Sequence, residues 1–280
     1  MSARWRLILA AAVLALHGCA ATGDNSEQIA AASQMQSRVL RGDPFVHQAY
    51  FRDGRDDRSR VLHVYIDHDG TPWLERDLVA ADPTPRNPLA LRLMAQDQAP
   101  SLYLGRPCHF RLQSGAACNP LVWTHARYGA AVVDSMAGAL QGFLRDQRFD
   151  RVVLIGYSGG GTLAVLLADR LPQVASVVTL AGNLDLAGWT ALHGYSPLAG
   201  SLDPLERVRR TPPPREFHLI GSRDANVTPA LATRYAARFP DASLIELEGF
   251  DHHCCWEARW KTLLAGPALR EAFAAPGPAP

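Results

Sequence analysis

Ser158 stands between two apolar runs, with Arg151-Val152-Val153-Leu154-Ile155 before it and Leu163-Ala164-Val165-Leu166-Leu167-Ala168 after it. Its immediate frame, Gly156-Tyr157-Ser158-Gly159-Gly160, has the form G-x-S-x-G. In that form a tight strand-to-helix turn lifts a serine hydroxyl above the edge of a sheet. The glycines fit such a turn, because a serine in a sterically crowded backbone region leaves no room for Cβ atoms two residues before and two after it. The following helix adds unpaired N–H groups and the positive end of its dipole at the place where negative charge would develop. The chemistry this suits is nucleophilic attack by an alcohol.

A hydroxyl is a weak nucleophile until a base takes its proton, and the base needs an acid to orient it. In Phe217-His218-Leu219-Ile220-Gly221-Ser222-Arg223-Asp224, an apolar strand pattern runs into a turn carrying Asp224. A second such run, Leu244-Ile245-Glu246-Leu247, leads through Glu248-Gly249-Phe250-Asp251 to His252. Both residues fall just beyond predicted strands, on the edge where open α/β sheets bind ligands. The expected base is His252 rather than His253, and the expected acid is Asp224, with Asp185 as the reserve. An oxyanion needs two backbone N–H donors. Gly159 should supply one, and the turn after the Val61–Ile66 run, Asp67-His68-Asp69-Gly70, the other, with Asp69 first and Gly70 second.

Something must bring these residues together. Strand-like runs recur at 45–51, 61–66, 101–104, 152–155, 174–180, 217–220 and 243–247. Between the later ones lie helical patterns, clearest where Val132, Val133, Met136, Leu140, Phe143 and Leu144 mark one apolar face. That alternation predicts an α/β fold with a mostly parallel central sheet and helices on both faces. Residues 182–214 interrupt the rhythm with glycine, proline and scattered apolar residues, and they are expected to form a small cap beside the site. Tyr157, Trp189 and Leu192 are the expected substrate-binding side chains.

The two ends read differently. Arg4 and Arg6 precede an apolar stretch from Leu7 to Leu16, so residues 1–18 read as an export signal. The ending Leu16-His17-Gly18-Cys19 resembles the bacterial lipobox, which implies lipidation of Cys19 and, with Ala20 after it, an outer-membrane anchor facing the periplasm. A periplasmic or secreted protein is the alternative. Residues 19–43 are expected as a tether, 44–266 as the globular domain and 267–280 as a Pro/Ala-rich tail. Cys108 and Cys118 flank a short loop and are the easiest pair to bridge, whereas Cys254 and Cys255 could form a vicinal bridge, stay reduced or pair with the other two. Adjacent side chains diverge, so His252-His253-Cys254-Cys255 is a poor metal set, and neither metal nor cofactor is expected. A formal charge of +1 with scattered basic residues argues against a nucleic-acid partner. The partners expected are an ester substrate and, through the anchor, a membrane; the chain is expected to be a monomer.

Over about residues 45–265 the chain resembles the α/β-hydrolases. Gly156-Tyr157-Ser158-Gly159-Gly160, Asp224 and His252 stand in that superfamily's motif order. Ala181-Gly182-Asn183-Leu184-Asp185, Trp189 and Asp251-His252 with Cys254-Cys255-Trp256 resemble an exported or lipoprotein branch of bacterial serine hydrolases. The resemblance implies ester hydrolysis on Ser158, with acyl transfer, peptide cleavage and a non-catalytic envelope role as alternatives. The chain departs from the commonest pattern at Asp67-His68-Asp69-Gly70, where many esterases carry His-Gly, and this leaves the second oxyanion donor open between Asp69 and Gly70.

Overall fold

A computed structural model describes residues 25–55, 59–112 and 115–273. In chain order its elements are α1 (Ser26–Ala32), β1 (Gln36–Arg41), β2 (Val46–Arg52), β3 (Val61–Ile66), α2 (Leu89–Gln96), β4 (Ser101–Leu104) and α3 (Ala130–Arg145). There follow β5 (Arg151–Tyr157), α4 (Gly159–Ala168), β6 (Val174–Leu180), α5 (Leu186–His193), β7 (Arg215–Gly221), α6 (Pro229–Arg238), β8 (Ser243–Leu247), α7 (Trp256–Ala265) and α8 (Pro267–Phe273).

The strands form one sheet in the order β1-β2-β4-β3-β5-β6-β7-β8. From β4 to β8 every pairing is parallel; β1 and β2 add an antiparallel margin. Side-chain alternation explains how one apolar run serves two layers. In β5, Val152 and Leu154 face the core shared with α3 and α4, while Val153 and Ile155 face the core containing Trp256, Trp260 and Leu91. A strand sandwiched in this way has no polar face, which is why β5 reads as continuously apolar. Because the strands run parallel, the turns after β3, β5, β7 and β8 all open on one edge.

Two expected boundaries are corrected. The segment 19–43, expected as a tether, contains α1 and β1; β1 pairs with β2 from Gln36↔Phe51 to Arg41↔Val46, and Tyr50 donates to Glu27 Oε1 at 3.0 Å. An edge strand has one neighbour and a wet side, so its mixed sequence carries no apolar run. Likewise the tail expected from 267 begins as α8, which buries Leu269 and Ala272 and stacks Phe273 on His63 at 4.4 Å. Its proline sits at the first helical position, where no N–H is needed. Residues 1–18, Cys19 and 274–280 lie outside the described residues. Among the described residues, no helix is long and apolar enough to cross a membrane.

The insertion 182–214 contains a short α-helix, α5, and a 3-10 turn, Pro204–Glu206, and returns to the sheet through a buried ionic knot. Arg207 pairs with Asp169 at 2.7 Å and with Glu216, and donates to the Tyr235 hydroxyl at 2.7 Å. Burial raises the Glu216 pKa, but His218, Arg207 and Tyr235 outweigh that and bring it down to about 2. The knot fixes the start of β7, whose far end carries Asp224.

Candidate active site

Ser158 has φ 53° and ψ −120°, a left-handed conformation that a residue with a Cβ adopts at a cost. The surroundings hold it there. Its N–H donates to Leu180 O at 2.9 Å, and its carbonyl accepts from Gly161 N at 2.9 Å and Asn183 N at 3.2 Å. A Cβ on Gly156 would lie 2.2 Å from Gly160 O, and one on Gly160 would lie 2.1 Å from Ile66 O. The turn therefore closes only with glycine at both positions.

Asp224 follows β7 and divides its two oxygens between two tasks. Oδ1 accepts from Asn226 N and Val227 N, each at 2.8 Å, which pins the turn; Oδ2 accepts from His252 Nδ1 at 2.8 Å. With Nδ1–H given to the carboxylate, Nε2 is the free acceptor, and it lies 3.1 Å from Ser158 Oγ. The loop after β8 is shaped for this by Asp251, whose Oδ1 accepts from His253 N at 2.7 Å and Cys254 N at 2.6 Å. From behind, the carbonyl of His252 accepts from Tyr157 Oη at 2.8 Å and Trp256 Nε1 at 3.1 Å. Serine, histidine and aspartate from three separate loops thus form one hydrogen-bonded chain, with the histidine and aspartate buried and water largely excluded from the pair.

The alternatives lie elsewhere. His253 is exposed and reaches Tyr157 Oη at 3.3 Å rather than the serine. Asp185 caps α5 by accepting from Gly188 N at 2.8 Å and pairs with Arg234 at 2.8 Å, so it is a structural acid.

Gly159 is the first residue of α4, so its N–H has no acceptor one turn earlier. Facing it is the turn after β3. There Asp67 Oδ1 accepts from His68 N at 2.9 Å, Gly70 N donates to His68 Nδ1 at 3.0 Å, and Thr71 N donates to Pro83 O at 2.9 Å. The structure thus gives the N–H of Gly70, the second of the two expected donors, to an imidazole nitrogen. The Asp69 N–H has no acceptor among the described residues.

The Asp69 side chain holds what the sequence did not signal. Its oxygens meet Arg106 Nη2 at 2.8 Å, Arg127 Nη1 at 2.8 Å and Tyr128 Oη at 2.7 Å. Burial pushes its pKa up, but the two guanidiniums and the tyrosine outweigh this and hold it well below the usual carboxylate range. Arg106, Arg127 and Tyr128 lie in the irregular stretch between β4 and α3, where no spacing rule ties them to a turn some 40 to 60 residues earlier.

Two expected substrate contacts are reassigned. Tyr157 is only 3% exposed and packs 5.5 Å from the His252 ring, so it supports the imidazole instead of facing a ligand. Trp189 donates from Nε1 to Asn226 Oδ1 at 3.0 Å, tying α5 to the turn of Asp224. Leu192 is 53% exposed on the outer side of that helix, near Tyr195 in sequence, whose ring stacks on His193. Disulfides join Cys108 to Cys118 and Cys254 to Cys255.

Neither a protein-family model nor a curated protein sequence matches the chain. Solved structures do. An esterase of Pyrococcus furiosus, Pf2001, superposes with TM-score 0.60 at 12% identity over 87% of this chain and 95% of that one. A serine hydrolase homologue from Coxiella burnetii gives 0.57 at 13% over 84% and 96%. A puromycin-hydrolyzing peptidase of Mycobacterium tuberculosis gives 0.62 at 15% over 89% of this chain, which spans only 41% of that protein. At such identities the likeness is one of architecture, and the conclusion it carries is that this chain has the α/β-hydrolase fold.

Proposed function

We propose that the protein is a serine hydrolase that cleaves carboxylic esters through an acyl-enzyme on Ser158. The observation that carries this reading is the continuous hydrogen-bonded chain from Asp224 through His252 to Ser158 Oγ. His252 Nε2 takes the hydroxyl proton as Oγ attacks the ester carbonyl, and Asp224 stabilises the imidazolium that forms. The tetrahedral oxyanion lies between the N–H groups of Gly159 and Asp69. Collapse expels the alcohol, which receives the proton from His252, and water then repeats the sequence on the acyl-enzyme. Peptide bonds and acyl acceptors other than water use the same steps, and product analysis with water, alcohol and amine acceptors separates them.

The experiment is fluorophosphonate labelling of the full chain beside hydrolysis of p-nitrophenyl butyrate. Ser158→Ala should abolish labelling and lower kcat by about 10⁴ to 10⁶. Asp224→Asn should leave the serine in place yet slow turnover by about 10⁴, because the imidazole then adopts the wrong tautomer. Undiminished labelling of Ser158→Ala sinks the proposal.

In this reading the protein is exported and anchored through Cys19 to the cell envelope. The Cys108–Cys118 disulfide supports an oxidising compartment.

A further inference from the structure

Beside the nucleophile lies a buried ionic cluster that the triad mechanism does not use. Arg106 Nη2 touches both sides of the oxyanion site, donating to Gly159 O at 3.2 Å and pairing with Asp69 Oδ1 at 2.8 Å. Arg127 is itself anchored, with Nε donating to Thr124 O at 2.6 Å and Nη1 to Asp69 Oδ2 at 2.8 Å. Tyr128 donates to the same carboxylate and lies beneath Arg106, whose guanidinium stands 5.2 Å from the ring centre. A Cβ at position 159 would fall 2.1 Å from Asp69 Oδ1 and 2.4 Å from Tyr128 Oη, so the first turn of α4 rests directly on the cluster.

We propose that Arg106, Arg127 and Tyr128 are positioning residues: through the Asp69 carboxylate they set the spacing of the Gly159 and Asp69 N–H donors and leave a net positive charge beside the oxyanion. This rests on the serine-hydrolase reading above. One carboxylate against two guanidiniums sums to a single positive charge, whereas the carboxylate alone would repel the developing anion. Burying ions to gain stability is poor design, since well-packed apolar groups serve as well. Placing fixed charges and fixed donors where charge develops is what accelerates acyl transfer. The cluster's location, against Gly159 rather than elsewhere in the core, is what gives it this role.

The test uses the full chain with Arg127→Ala, Arg127→Lys and Tyr128→Phe, each normalised to sites titrated by fluorophosphonate, with p-nitrophenyl butyrate as substrate and phenylboronic acid as a probe whose serine adduct mimics the tetrahedral oxyanion. Arg127→Ala should lower kcat by roughly 10²-fold with KM within about threefold, and should weaken the boronate by a similar factor. Arg127→Lys should recover part of both, since it restores charge without the forked geometry. Tyr128→Phe loses one hydroxyl and keeps the ring, so it decides the matter if Arg127→Ala does not fold; about a tenfold loss in kcat is expected. A merely structural cluster would lower the melting temperature while kcat per titrated site and boronate affinity stayed within twofold of wild type, and that result overturns the proposal. Wild-type protein that neither labels nor hydrolyses would instead overturn the reading on which it rests.

Discussion

Gly156→Ala, paired with Gly138→Ala, tests whether the turn around Ser158 is held by backbone contact. At 156 the added Cβ would sit 2.2 Å from Gly160 O, 2.4 Å from Gly160 C and 2.6 Å from Gly161 N. All three are backbone atoms that no rotamer change can move, and relief requires the turn to open by about 1 Å, the order of misplacement that costs roughly 10²-fold in rate. Overpacking of this kind costs about 1 to 3 kcal/mol, and at about 2 to 4 °C per kcal/mol for a domain of this size the melting temperature should fall by roughly 2 to 12 °C. Gly138 lies within α3, and a Cβ there meets nothing within 4 Å. Alanine at that position should stabilise by about 0.5 to 1 kcal/mol through helix propensity and leave turnover unchanged. Thermal denaturation, the rate of fluorophosphonate labelling and kcat on p-nitrophenyl butyrate read all three effects. A Gly156→Ala protein that labels and turns over at the wild-type rate would refute the argument, because the serine would then be positioned by something other than the closed turn.

Stability should decline with acid through buried histidines. Burial lowers His47 to about 4 even though a hydrogen bond to Gly105 O raises it, and burial with Arg106 lowers His109 to about 4. Each folded value lies below the unfolded one of about 6.5, so their contribution is intact above pH 6.5 and is lost as pH falls toward 4, by at most about 3 kcal/mol per residue. Glu216, depressed to about 2, extends the loss in the same direction, its share being present above about 4.5 and disappearing as pH drops toward 2. Melting curves from pH 7.5 to 4 should show this slope, and His47→Gln should flatten it; an identical slope in the variant would exclude His47 as a source. If Cys19 is lipidated as proposed, Cys19→Ser should move the protein from the membrane fraction to the soluble fraction, and unchanged membrane recovery would count against lipidation there.

The sequence by itself picked out Ser158, His252 and Asp224, which hydrogen bonds join in the structure, and the class of fold, because both are written locally. A strained turn demands glycines at fixed offsets from Ser158, a two-sided strand demands an unbroken apolar run, and Asp224 and His252 each follow such a run directly. Parallel strands then place every such turn on one edge, so chain order alone suffices to bring the residues close. What chain order could not decide was how the side chains divide their bonds. Tyr157 sits within the motif, yet only packing shows that it faces the back of His252. Gly70 and Asp69 are neighbours, and only the ring of His68 decides which N–H remains free. The Asp69 cluster is the extreme case, since its members come from segments far apart in the chain and ionic contacts carry no periodicity. Edge elements escaped for a related reason: β1 buries no residue fully and α8 buries only Leu269 and Ala272, so both leave a weak apolar signal, and their place is set by the neighbours they pack against.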